Sequence, residues 1–178
     1  MKVVLASTSP RRKELMKELF SEFSVISPTA EEMTEGDPEV VAETNAIRKG
    51  RSVTEPCDVL VASDTVVALG RRIYGKPRDE KDAVRMLCEL SGKTHSVISG
   101  VYLCVHGQEE SFVEESFVTM KDLTLAEIER YVQKFRPLDK AGAYGIQDDA
   151  VVEKYVGDYE NVVGLPLKKT KAALERLL

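Results

Sequence analysis

One stretch of the chain limits its architecture more than any other. Residues 59–69 read VLVASDTVVAL, apolar throughout except at Ser63-Asp64-Thr65. A run this apolar and this rich in β-branched residues belongs to a strand covered on both faces, as in the centre of an α/β sheet. An ionised carboxylate in the middle of such a strand is costly unless partners or a metal hold it. Asp64 therefore points to function, as a general base or a magnesium ligand. The competing reading is an Asp at a bulge or strand end, bonded to a backbone turn.

Around this strand, helical and extended patterns alternate. Residues 2–6 predict a buried strand, followed by a helix with Ser9 as N-cap, Pro10 in its first position and a stripe of Leu15, Met16, Leu19 and Phe20. Residues 23–26 predict a second short strand. Asp37-Pro38 opens a helix to about Val53; Val40 and Ile47 give it one weak stripe, and Ala42, Ala46 and Val53 another, on which Lys49 sits. Residues 79–90 predict a helix stopped by Gly92. Residues 94–105 and 112–121 predict a long antiparallel hairpin about Gly107. Thr124 and Glu127 form a capping box for a helix that ends at Pro137. A strand over 151–156 and a last helix from Pro166, with Leu167, Leu174 and Leu177 inward, complete the pattern. The fold class is α/β, a mixed sheet with flanking helices rather than a purely doubly wound one. With 178 residues and no Pro-, Gly- or Ser-rich linker, residues 1–178 are expected to form a single domain, with two lobes about a cleft as the alternative.

Charge narrows the partners. The net charge of -5 disfavours non-specific binding to nucleic acid or an anionic membrane, so an anionic substrate needs a local basic cluster. No apolar run reaches the length of a membrane span, and the N-terminus lacks the apolar core of a signal peptide. Cys57, Cys88 and Cys104 are odd in number and none forms a C-x-x-C pair, which argues for free thiols in the reducing cytoplasm. Two histidines are too few for a histidine metal cluster.

Three segments besides Asp64-Thr65 have residue types suited to phosphate chemistry. In Ser7-Thr8-Ser9-Pro10-Arg11-Arg12, two arginines occupy the first turn of a helix, where positive charge opposes the macrodipole. An anion bound there by backbone N–H groups, hydroxyls and guanidinium forks would resolve the mismatch. Equally open is a pair of arginines facing solvent or bonded to Glu14 and Glu18. Gly75-Lys76-Pro77 fixes the direction of an ammonium within a tight turn. In residues 139–147 (DKAGAYGIQ), small residues permit close backbone approach, and the Gln147 amide both donates and accepts, as a reader of base edges must. Residues 157–166 show no specific chemistry of their own.

Taken together, LASTSPRR, ASDTVV, GKP, LSGKTHSV, DKAGAYGIQ and GDYENVVGLP resemble the Maf (septum-formation-inhibitor-like) family, in the family's order and from end to end of the chain. The resemblance implies an elongated α/β fold around a central cleft, akin to inosine-triphosphate pyrophosphatases. It implies hydrolysis of a nucleoside triphosphate between the α and β phosphates, with Mg²⁺ or Mn²⁺. Asp64 matches the family's proton acceptor. Ser7, Arg12, Lys49 and Lys76 match polyphosphate-holding positions, and Glu32 matches an acidic partner for metal or water, with Glu31 one register away. Arg11, Thr65 and Gln147 match the specificity positions of the dTTP/UTP branch. The resemblance is compatible with a homodimer. Two other readings remain open: a nucleotide-binding regulator of septum formation without catalysis, and a pyrophosphatase for ITP or XTP. The chain departs from the family pattern at Ala62-Ser63 (usually Gly-Ala), at Gly50 (usually Ala) and at Asp148 (usually Gly).

Overall fold

A computed structural model describes all 178 residues. The apolar run becomes β3 (Val59–Leu69), a largely buried strand of a seven-stranded mixed sheet. β1 (Val3–Ala6) lies parallel to it and β2 (Ser24–Ile26) parallel to β1. On its other edge β3 pairs antiparallel with β5 (Thr94–Val105), which turns through His106-Gly107 into β6 (Gln108–Met120); β7 (Val152–Val156) closes that side. The order is β2-β1-β3-β5-β6-β7, with β4 (Arg72–Tyr74) folded back on the end of β3. The hairpin is longer than the sequence predicts. Its second strand begins at Gln108, where a polar, solvent-facing stretch hides the β pattern.

Helices cover both faces. α1 (Pro10–Met16), α5 (Tyr159–Val163) and α6 (Leu167–Leu177) lie on one, α2 (Pro38–Arg51) on the other, and α3 (Glu80–Leu90) and α4 (Leu125–Phe135) pack at the far end. The expected caps form: Ser9 Oγ accepts from the Arg12 amide, and Thr124 and Glu127 bond reciprocally. α1 stops at Met16, yet Leu19 and Phe20 continue its stripe through turns and still pack on the core.

Strand periodicity sorts β3 into two rows. Leu60, Ala62 and Val66 face α2, and Val59 and Val61 face the α1/α6 side. Asp64 falls in the α2 row, and Ser63 and Thr65 in the opposite one. The departure at Gly50 has a packing cause. A Cβ there would overlap the Tyr102 ring, and at Gly100 one would overlap the Ala42 carbonyl, so α2 rests directly on β5.

Candidate active site

The sheet has a gap along one edge of β3. β1 pairs with it only as far as Ala62, and β4 only from Val67 onward. Residues 63–66 thus border a cleft of about 520 Å³, entered beyond the carboxyl end of β1, where α/β sheets commonly hold ligands. Ser7, Arg11 and Arg12 line it from the β1–α1 turn, Glu32 from the segment before α2, Lys49 from α2, Asp64 and Thr65 from β3. Lys76 and Gln147 line it from the opposite wall.

Asp64 is 7% exposed and its two oxygens are held separately. Lys49 Nζ donates to Oδ1 at 2.5 Å, and Asn45 Nδ2 donates to Oδ2 at 3.0 Å. The same ammonium meets Glu32 Oε1 at 2.7 Å. Glu32 thus faces the cleft, whereas Glu31 supplies its carbonyl to Arg48. Lys49 can do this because α2 presents it on the buried stripe with Ala42 and Ala46.

The two arginines part company, and neither faces Glu14 or Glu18. Glu14 pairs instead with Lys17. Arg12 turns inward; its Nε donates to the Gly164 carbonyl at 2.8 Å and its Nη2 to Thr65 Oγ1 at 2.9 Å. Burial lowers the Arg12 guanidinium from its ordinary value; Asp64 and Glu32 work against that shift and Arg11 adds to it. Arg11 crosses the cleft to Asp139, with Nη1 to Oδ2 at 2.9 Å. Although burial opposes ionisation, hydrogen bonds from Arg11 and Lys140 hold the Asp139 carboxyl below its usual range. Ser7 Oγ, buried under the turn, accepts from the Ser9 amide at 3.1 Å.

Several site residues escaped the sequence reading. Residues 157–166, read as chemically silent, supply the Gly164 carbonyl, which also accepts from Ser63 Oγ at 3.0 Å. Ser99 joins Thr65 Oγ1 at 2.7 Å and passes its bond to the Asn161 carbonyl at 3.1 Å. Asn45 was detectable as a polar residue one turn before Lys49. Asp148 anchors its loop by accepting from the Tyr131 hydroxyl at 2.6 Å, and that hydroxyl accepts from the Gly145 amide. Burial, then the Asp148 contact, push the Tyr131 phenol well above its ordinary range. Below that loop His95 Nε2 and the Tyr144 hydroxyl share a 2.6 Å hydrogen bond, and burial holds the imidazole down at about 4.

Nowhere do three His, Cys, Asp or Glu side chains gather as a metal cage. Asp64 and Glu32 offer hard carboxylate oxygens around Lys49, a set that fits a Mg²⁺-like ion only if phosphate oxygens and water complete its coordination. No helix is long and apolar enough to cross a membrane.

Comparison with known proteins gives the chain its family. The family model described as "Maf-like protein" matches residues 2–177. A dTTP/UTP pyrophosphatase of Thermosipho africanus is 48% identical over 172 residues, covering 95% of this chain and 90% of that protein. One from Dictyoglomus thermophilum is 44% identical, covering 98% and 95%. Among solved structures, the Ham1 protein of Staphylococcus aureus shares the fold, with a TM-score of 0.59 at 16% identity and 99% of each chain covered.

Proposed function

Because the chain belongs to the family of Maf-like proteins, we propose that its cleft hydrolyses dTTP and UTP to the nucleoside monophosphate and pyrophosphate, a house-cleaning activity on nucleotides. One observation carries the reading: Lys49 sits 2.5 Å from Asp64 and 2.7 Å from Glu32, in a cleft that Arg12 and Lys76 also line. The relatives named dTTP/UTP pyrophosphatase support the substrate class.

A triphosphate brings about four negative charges to a protein of net charge -5, so local counter-charge must hold it. Arg12, Lys49 and Lys76 supply that charge, with Ser7 and the amides of the β1–α1 turn as further donors. Asp64 is the proton acceptor. Each of its oxygens has one lone pair engaged by Lys49 or Asn45 and another free for water. The water oxygen bonds to the α phosphorus and its proton passes to Asp64. The bond from that phosphorus to the bridging oxygen breaks, and its electron pair leaves with pyrophosphate. Arg12 stabilises the charge on the leaving group. Glu32 orients the water with Asp64. Activity in this family generally depends on a metal. Asp64, Glu32 and the phosphates would hold a divalent cation, which supplies further positive charge to the polyphosphate. Arg11, Thr65 and Gln147, which line the same cleft, are the residues assigned to reading the nucleoside.

The test is pyrophosphate release from dTTP, UTP, dCTP, ITP and XTP with Mg²⁺ or Mn²⁺, beside Asp64→Asn. Release from dTTP and UTP, lowered about 10⁴-fold in the variant, is the expected result. Preference for ITP or XTP would reassign the substrate to purines. Nucleotide binding with no release from any triphosphate would leave a binding regulator in place of an enzyme.

A further inference from the structure

We propose that Asn45 is a positioning residue for hydrolysis, acting by holding Glu32 in register with Asp64. This rests on the pyrophosphatase reading above and adds a residue that neither the motifs nor the comparisons single out.

Asn45 is 2% exposed and uses its amide on two elements at once. Its Oδ1 accepts from the Met33 amide at 2.7 Å, and its Nδ2 donates to the Met33 carbonyl at 3.0 Å. The second Nδ2 hydrogen goes to Asp64 Oδ2 at 3.0 Å. One side chain therefore clamps both backbone groups of the residue after Glu32 and touches the proton acceptor. Glu32 needs the clamp. It lies in residues 27–36, where no helix or strand forms, and its side chain is 52% exposed. A carboxylate on such a segment has no ladder or helix of its own to fix it. Asn45, rooted in α2 one turn before Lys49, transfers the rigidity of the helix to that segment. Lys49 grips the Glu32 carboxylate and Asn45 grips the backbone beside it, so position and direction are set from the same helix face.

A misplacement of about 1 Å at a reacting group costs roughly 10²-fold in rate. For Asn45→Ala we expect kcat on dTTP to fall about 10²-fold with KM within about three-fold, since Asn45 has no phosphate to hold. The decisive measurement is a double-mutant cycle with Glu32→Gln. If Asn45 acts through Glu32, Asn45→Ala costs less than about three-fold in the Glu32→Gln background. An equal cost in both backgrounds overturns the proposal, because a purely structural residue would slow both enzymes alike. A loss of dTTP affinity in EDTA as large as the loss in kcat overturns it too. Asn45→Ser repeats the cycle should the alanine variant not fold; failure of both to fold makes Asn45 a residue of the fold alone and ends the proposal. Inactivity of the unsubstituted protein toward every triphosphate would instead remove the enzymatic reading itself.

Discussion

The two walls of the cleft are built on opposite plans. On the wall formed by β1, α2 and β3, nearly every polar group is engaged: Asp64 by Lys49 and Asn45, Arg12 by Gly164 and Thr65, Thr65 by Ser99. On the wall formed by residues 75–77 and 139–148, Lys76 and Gln147 stand exposed on short turns, with their hydrogen-bonding capacity turned to solvent. Groups that do chemistry gain from being fixed in advance, because the dipoles need not reorganise when charge develops. Groups that grip or read a ligand can order when it arrives. On the proposed reading the first wall carries the bond-breaking groups, together with Arg11 and Thr65, and the second leaves Lys76 and Gln147 to grip and read the ligand.

The sharpest test of this division is Lys49→Met. It strips the cation from between two carboxylates whose partner is buried, so the first wall should lose both stability and rate: about 3–5 kcal/mol in urea unfolding and about 10³-fold in kcat. Retention of full stability would show that the wall is not preorganised by this ion pair. Next in size is a pH effect at the root of the second wall. His95 is held neutral, down at about 4 from an ordinary 6.5. Between those values the unfolded chain takes up a proton that the fold refuses. The contribution is therefore complete above pH 6.5 and fades as pH falls toward 4, by about 3 kcal/mol at roughly 1.4 kcal/mol per unit. Unfolding free energies at pH 7 and 4.5 should differ less in His95→Gln than in the natural chain; identical differences would remove His95 from the account.

Smaller effects should be confined to recognition. Gln147→Glu removes an amide donor and should weaken use of dTTP and UTP by about 2 kcal/mol in kcat/KM, with melting unchanged. Unaltered preference across bases would take base reading away from this wall. Lys76→Ala should raise KM about ten-fold, near 1.4 kcal/mol, with kcat and stability almost untouched. A drop in stability there would mean that the second wall is as built-in as the first.

The walls also differed in how far the sequence revealed them. Asp64 stood out because a carboxylate interrupts an apolar strand; the helix it faces was not readable, because the run is apolar on both faces. The caps at Ser9 and Thr124 and the stop at Gly92 are local chemistry and were readable as such. Asn45 offered only its place as a polar residue one turn before Lys49; its role was hidden because it depends on Met33, twelve residues away along an irregular segment, and on Asp64 in another element. Residues 157–166 were silent for a similar reason: their contribution is a backbone carbonyl, which no side-chain pattern encodes. β4 and the first residues of β6 were missed because short or solvent-facing strands lack the apolar alternation that marks a half-buried one.

The bare contact between α2 and β5 has a consequence for anyone reshaping this protein. At Gly100 and Gly50 no side chain separates helix from strand and ring, so the seat of α2 is a mechanical stop rather than a cushion. At Gly50 the obstacle is the Tyr102 side chain, but at Gly100 it is the Ala42 backbone, and substitution at Gly100 cannot be absorbed by a change of rotamer. It must translate the helix as a body, carrying Lys49 and Asn45 with it. Redesign aimed at new substrates has latitude on the far bank of the cleft, whereas at Gly100 a single methyl group acts as a shim beneath the whole chemical apparatus.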